Sequence, residues 1–211
     1  GIFLLLMAIL GAHEMGHRIA AHRNGISISN PYFIPAPTPL GTFGAFIKVR
    51  KPVPTREALV EMGFLGPLMG FLLALITSSL GFLIPVRQGI DFPLMPLIFS
   101  FTKHALNPLL LSGMLMLMIT SLNLLPAGQL DGGHIVRALL GEKGHRAASI
   151  AAVIILVVTG YWPMALIVAL MMTRGHPGPL DDVSPLSPGR KILALIAFII
   201  CFVSAVPLLY F

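Results

Sequence analysis

Cysteine and charge are both scarce in this chain. Cys201 is the only cysteine among the 211 residues, which excludes an internal disulfide and a cysteine-based metal site. Charged residues make up 10% of the sequence, against about 25% in an ordinary soluble domain. Hydrophobic residues reach 56% and the mean hydropathy is +0.90. Such a composition indicates an integral, multi-pass membrane protein embedded in the lipid bilayer.

The net charge of +6 could indicate binding to nucleic acid. No cluster of basic and aromatic residues supports such binding, so a nucleic-acid partner is not expected. In a membrane protein the placement of Lys and Arg is more informative than their sum.

Long apolar runs predict helical spans, because a helix needs roughly 20 apolar residues to cross the hydrocarbon. The fold class expected is an all-α polytopic membrane protein with about five to six transmembrane helices, forming one domain over residues 1–211. The helices are predicted over residues 1–24, 56–84, 108–125, 130–141, 146–159, 162–174 and 191–210, with 146–174 forming a hairpin.

Prolines separate these spans. Residues 25–56 contain six of them, and the alternation in 43–50 predicts a small β-hairpin or strand, placed over 41–50, after the first helix. A second Pro-rich connection, 85–107, is expected to hold a short interfacial helix over 97–104. If the spans alternate sides, twelve of the fourteen Lys and Arg residues lie on one face. That face is predicted to be cytoplasmic.

Within the first apolar helix lies the stretch HEMGH, residues 13–17. His13 and His17 are four residues apart and share one helix face. That spacing lets two imidazoles converge on one zinc ion, while Glu14 reaches a zinc-bound water. Catalytic zinc sites use three protein ligands, so a third must come from elsewhere.

Asp131 is the predicted third ligand. The chain has eight acidic residues. Apart from Glu14 in HEMGH, Asp131 is the only one with sequence on both sides that is apolar enough for a membrane. His17 lies eight residues before Gly25, about 12 Å along a helix, and Asp131 lies ten before Gly141, about 15 Å. Both helix ends are predicted on the cytoplasmic face, so the two groups are expected at similar depth, nearer that face. Ionisable groups at such depth are costly unless paired or metal-bound.

The broken segment 123–129 fits a cavity that admits water, because non-helical backbone at membrane depth occurs where it lines a cavity or is buried in protein. Several plainer roles stay open. The HEMGH side chains could be structural packing, Asp131 could cap the following helix, and Asn123 could hydrogen-bond a neighbouring helix. His134 is expected either near the metal without binding it or at the membrane interface. Solvated or headgroup-facing positions are expected for the remaining histidines, His22, His104, His145 and His176.

Together, HEMGH in a first span and LNLLPAGQLDGGH in a later one resemble the site-2 protease family of intramembrane zinc metalloproteases. GFLGPLMG at 63–70 and GTFGAFIK at 41–48 also resemble family features, the latter closer to the archaeal and chloroplast branch. The resemblance implies one Zn²⁺ per chain held by His13, His17 and Asp131, with Glu14 as general base. The family pattern has a helix before HExxH, which is expected to be missing at the N-terminus here, and no PDZ domain is expected.

The activity implied is hydrolysis of peptide bonds within or near transmembrane segments of membrane proteins, in a cell membrane or a chloroplast membrane. Asn123 would hold the substrate or stabilise the oxyanion. The strand over 41–50, through Gly44, Phe46 and Ile47, would bind an unwound substrate at its edge. The alternative is a membrane metal-ion transporter or ion pathway, which predicts ligands on several helices and inverted repeats. The sequence does not predict an oligomeric state.

Overall fold

Six helices and one short hairpin make up the part of the chain that the computed structural model describes, residues 2–29, 32–35, 42–46, 52–84 and 107–205. For the two strands only the backbone is described. The interfacial helix predicted over 97–104, His104 and Ile47 lie outside these residues. In chain order the elements are α1 (Ile2–Arg23), β1 (Tyr32–Pro35), β2 (Thr42–Phe46), α2 (Arg56–Leu83), α3 (Pro108–Asn123), α4 (Asp131–Val158), α5 (Trp162–Thr173) and α6 (Pro188–Ser204).

The prediction of five to six transmembrane helices was wrong, and the fold class is corrected accordingly. Among the described residues only α1 and α2 are long and apolar enough to cross a membrane, judged by length and composition. The helices α3, α5 and α6 have 16, 12 and 17 residues. The remaining helix, α4, has 28 residues but bends at Gly141, where φ is 70°. The apolar runs of the later half are thus divided into pieces shorter than a full crossing.

The hairpin pairs β1 with β2 in antiparallel register, Tyr32 opposite Phe46 and Phe33 opposite Ala45, with an irregularity between Phe33 and Pro35. The strand placed by sequence over 41–50 begins at Thr42 and ends at Phe46 among the described residues. The second strand contacts α1, the helix that carries HEMGH.

At the centre of the fold is α2, which contacts α1, α3, α4 and α6. It begins at a side-chain cap, because Thr55 Oγ1 accepts a hydrogen bond from the Ala58 N–H at 3.1 Å. Asn107 joins its far end to α3: the side chain accepts from the Leu110 N–H at 2.9 Å and donates to the Gly81 carbonyl at 2.6 Å. The hydrogen bond from Asn107 to Gly81 thus ties the start of α3 to the end of α2.

The segment between α3 and α4, residues 124–130, is non-helical yet enclosed by protein. Its backbone groups find partners on the second half of α4. The Gly128 N–H donates to Ser149 Oγ at 3.0 Å, and His145 Nε2 donates to the Gly128 carbonyl at 2.8 Å. His145 is therefore buried, and the expectation that it would be solvated was wrong.

A polar loop, residues 174–187, is fixed across the ends of α2 and α4. The Leu180 and Asp181 N–H groups donate to the carbonyls of Val53 and Pro54, both at 2.9 Å. Further along, the Ser187 N–H donates to Glu57 Oε1 at 3.1 Å. This loop therefore has defined partners along the helix ends.

Close packing of α2 against α3 depends on Gly113. A Cβ there would overlap Ser78 Oγ and lie 2.7 Å from the Ala74 carbonyl oxygen. We expect Gly113→Ala to destabilise the protein by about 1–3 kcal/mol, because two helix backbones must separate. The measurement is thermal unfolding in detergent.

Gly11→Ala is the matched control, since a Cβ at that helical position meets nothing within 4 Å. Its melting temperature should stay level or rise, because Ala favours helix over Gly. Equal melting temperatures for the two variants would contradict the packing argument.

Candidate metal centre

Three potential metal ligands converge where α1 and α4 meet beside α2. His13 and His17 project from one face of α1, with their Nε2 atoms 3.0 Å apart. Asp131 is the first residue of α4 and reaches both rings. Its Oδ2 lies 3.4 Å from His13 Nε2, and its Oδ1 lies 3.5 Å from His17 Nε2. Among the described residues this is the single group of three metal-ligating side chains found within reach of one ion.

The spacing and chemistry of this group fit a zinc ion. Tetrahedral zinc with bonds of about 2.0–2.2 Å places neighbouring donor atoms about 3.3–3.5 Å apart. The three observed separations, from 3.0 to 3.5 Å, lie close to that range. Two imidazoles and one carboxylate form a ligand set that suits zinc better than magnesium or calcium. Three protein ligands also leave a fourth position for water.

The orientation of His17 is set by α2. Its Nδ1 donates to the Met62 carbonyl at 3.0 Å, which leaves Nε2 unprotonated and directed at the site in the neutral ring. Such a hydrogen bond to the second ring nitrogen is the usual way in which proteins orient metal-binding histidines. Met62 was not predicted, because a backbone carbonyl leaves no signature in the sequence.

Two glycines of α2 make room for the histidine rings. A Cβ at Gly66 would overlap the imidazole of His17, and one at Gly70 would lie 3.2 Å from both Cβ and Nδ1 of His13. A third glycine, Gly63, lets α4 approach, since its Cβ would overlap the Asp131 carbonyl oxygen. The GFLGPLMG stretch therefore forms the wall of the metal centre.

Asp131 does not cap its own helix. The N-cap position belongs to Leu130, and no side-chain cap hydrogen bond is present. Beside it, Gly132 fits closely under the preceding segment, because a Cβ there would overlap the Leu124 carbonyl oxygen. The carboxylate of Asp131 is thus directed at the histidines while its helix start is held against the α3–α4 connection.

Glu14 lies beside this group but is not part of it. Its side chain is 7% exposed and lies close enough to His17 and Asp131 to interact electrostatically with both. A buried carboxylate next to a metal centre, and not needed to hold the metal, is available to accept a proton.

The remaining predicted site residues are Asn123, Gly44, Phe46 and Ile47. Asn123 is the last residue of α3 and is half-buried, one position before Leu124. Gly44 and Phe46 lie in β2, of which only the backbone is described, and Ile47 lies outside the described residues. None of these four positions belongs to the group of converging ligands in the described part of the chain.

His134, one turn after Asp131, binds His176 instead of the metal group. The Gly178 N–H donates to His176 Nδ1 at 3.0 Å, so the proton of that ring is on Nε2. His176 Nε2 then donates to His134 Nδ1 at 2.7 Å. Burial, with the neighbouring His134 and His145, lowers the pKa of His176 to about 3. The ring is therefore neutral at ordinary pH, and the expectation that His176 would be solvated was wrong.

An ion pair between a buried arginine and a partly exposed aspartate fixes the same loop one turn further along α4. Arg137 is 5% exposed, and its two terminal nitrogens donate to the two carboxylate oxygens of Asp182 at 2.9 and 2.7 Å. These hydrogen bonds hold the pKa of Asp182 below its usual range. Gly178 is required beside this pair, since a Cβ there would lie 2.8 Å from Arg137 Nη2. Nothing in the sequence indicated the pairing.

Comparison with known proteins agrees with this centre. The chain is 33% identical over 205 residues to the probable zinc metalloprotease EGY2, chloroplastic, of Oryza sativa subsp. indica, covering 85% of this chain and 37% of that protein. It is 30% identical over 231 residues to the probable zinc metalloprotease EGY1, chloroplastic, of Arabidopsis thaliana, covering 96% and 42%.

The chain thus spans about two fifths of the length of these curated relatives. No solved structure is significantly similar to it. The model of peptidase family M50 matches residues 1–100 and 97–168. Since this match covers most of the chain, including HEMGH and LDGGH, the protein belongs to peptidase family M50.

Proposed function

We propose that this chain is an intramembrane zinc metalloprotease, which hydrolyses peptide bonds within or near the transmembrane segments of other membrane proteins. The observation that carries the proposal is the convergence of His13, His17 and Asp131 from two helices. Membership of peptidase family M50 and the zinc metalloprotease names of the relatives support it.

One zinc ion per chain would be held by these three side chains. A bound zinc ion polarises a carbonyl and lowers the pKa of water. Glu14 is placed to accept the proton of the attacking water and to pass it to the leaving amine. Asn123, at the end of α3, is proposed to hold the substrate backbone or to stabilise the oxyanion.

The location proposed is a multi-pass membrane protein with its centre nearer the cytoplasmic or equivalent face. The candidate spans α1 and α2 support this arrangement. The relatives named above are described as chloroplastic, so a chloroplast membrane is the proposed site. A metal transporter is not favoured, because the ligands come from only two helices and the family is one of peptidases.

Zinc binding should depend on the space at Gly66. We expect Gly66→Ala to lower zinc affinity about tenfold or more, because the new Cβ displaces the His17 imidazole. Zinc content after dialysis against a graded chelator measures the effect. Gly11→Ala, on the helix that carries both histidines but with an open Cβ position, should keep one zinc per chain. Unchanged affinity in Gly66→Ala would argue against this ligand set.

Glu14→Gln separates chemistry from metal binding. We expect zinc to remain at one ion per chain while cleavage of a model transmembrane substrate falls about 100-fold or more, because the amide accepts no proton. The readout is fragment formation in detergent micelles.

Glu57→Gln is the matched control for that change. The carboxylate of Glu57 accepts a hydrogen bond from the Ser187 N–H, which a glutamine oxygen also accepts, so cleavage should persist. Cleavage that survives in Glu14→Gln would refute the protease assignment, and zinc lost with it would show that Glu14 holds the metal.

Substrate is proposed to add as an extended strand to the hairpin beside α1, because a helical segment must unwind before its peptide bonds are exposed. Gly44→Pro removes an N–H from β2 and should lower cleavage about tenfold or more, with zinc retained. Gly44→Ala keeps that N–H and should retain activity. Full activity in Gly44→Pro, measured on the same substrate, would exclude strand addition at this position.

A further inference from the structure

A second cavity, separate from the metal centre, opens between the second half of α4 and α5. Its volume is about 630 Å³. At one end it is lined by the basic side chains Arg146 and Arg174. Its wall on α4 is apolar and is formed by Ile150, Val153 and Ile154. The cavity therefore has a cationic end and an apolar wall.

The side chains of the two arginines are exposed and have no bonding partner among the described residues. Neither side chain makes an ion pair or a hydrogen bond with another described residue, in contrast to Arg137 and Arg190, which are bound to Asp182 and Glu61. Among the described residues that line the cavity, Glu142 is the one acid. Two guanidinium groups against one carboxylate leave the polar end with a net positive charge.

Beyond this wall, α4 and α5 carry further exposed apolar side chains. On α4, Ile154 and Ile155 are both 57% exposed, and on α5, Leu166 and Leu170 are 61% and 59% exposed. Contiguous exposed side chains of this kind mark contact with a membrane or a partner. The basic end is formed by Arg146, near the start of the second half of α4, and by Arg174, at the end of α5. In a membrane, this arrangement would place the apolar wall among acyl chains and the two arginines among headgroups.

We propose that this cavity binds one anionic glycerophospholipid. Arg146 and Arg174 hold the headgroup phosphate, since guanidinium groups donate two parallel hydrogen bonds to phosphate oxygens. An acyl chain lies along Ile150, Val153 and Ile154. Basic pockets between membrane helices on the cytoplasmic side are suited to such headgroups. Charge complementarity at one end and apolar continuity with the lipid-facing surface both favour a lipid over a peptide.

The bound lipid would also touch the loop that reaches the metal centre. Gly128 and His176 line the cavity, and the ring of His176 donates to His134, one turn after Asp131. Lipid binding itself is nevertheless independent of proteolysis and is measured without substrate.

The test uses the full chain, purified and stripped of lipid in detergent, with radiolabelled dioleoylphosphatidylglycerol and dioleoylphosphatidylcholine as probes. We expect saturable binding of the anionic lipid and about tenfold weaker binding of the zwitterionic one. The double variant Arg146→Gln with Arg174→Gln should lose about tenfold or more in affinity for phosphatidylglycerol, with an unchanged melting temperature because both side chains are exposed and unpaired.

Two further variants distinguish lipid binding in the cavity from general attraction to the positive charge of the protein surface. Lys143→Gln with Lys191→Gln removes the same charge from exposed positions that do not line the cavity, and affinity should stay within about twofold. Ala169→Trp fills the apolar part and should weaken lipid binding with both arginines intact.

Three results would overturn the proposal. One is equal loss in the arginine and lysine double variants, which would indicate general surface attraction. Another is full affinity in the arginine double variant. The third is complete displacement of the lipid by millimolar inorganic phosphate together with unchanged binding in Ala169→Trp, which would indicate a site for free anions.

Discussion

The close approach of α1 and α4 to one face of α2 is the constraint on which the metal centre depends. Three glycines of α2 allow it, because a Cβ at Gly63 would overlap the backbone of Asp131 and one at Gly66 the ring of His17. On the α1 side, Gly16 is in backbone contact with Leu65. Small residues that let helix backbones approach are a common basis of helix packing in membranes. Here they bring two ligand-bearing helices to the same place.

Buried polar groups hold the helix ends around this packing. Glu61 of α2 is 2% exposed and is paired with Arg23 at 3.2 Å and with Arg190 at 2.6 Å. It thereby joins the end of α1 to the start of α6. A carboxylate buried this deeply needs partners of opposite charge or hydrogen-bond donors, and the Asn24 amide also donates to Glu61 Oε2 at 3.2 Å. The Arg137–Asp182 pair likewise joins α4 to the polar loop. Ion pairs therefore fix both helices that carry the metal ligands, α1 and α4.

The sequence was informative where local chemistry decides the structure. The bounds of α1 and α2 were predicted within one residue, because apolar runs end at Gly25 and begin after the cap Thr55. The ligands could be proposed from HExxH spacing and from one acid in an apolar context. The number of full membrane crossings was wrong because short helices were counted as crossings, although α3, α5 and α6 have only 16, 12 and 17 residues.

Contacts between distant segments were beyond the reach of sequence reasoning. The Met62 carbonyl orients His17 across 45 residues, and Ser149 satisfies the Gly128 N–H across 21. Neither residue type signals such a role, since both occur at ordinary positions in apolar helices. His145 and His176 were assigned to solvent because they flank polar stretches, whereas the folded chain turns them inward. Their environment depends on how the polar loop crosses α4.

The exposure of the three ligands indicates how water reaches them. The side chain of His13 is 3% exposed, whereas those of His17 and Asp131 are 14% and 13% exposed. The opening is therefore at the His17 end of the group, the end nearer Arg23 and the proposed cytoplasmic face. His13, deeper in α1, packs against Gly70 of α2. Because hydrolysis consumes water while the surrounding helices exclude it, a centre closed on its deep side and open on its shallow side meets both requirements.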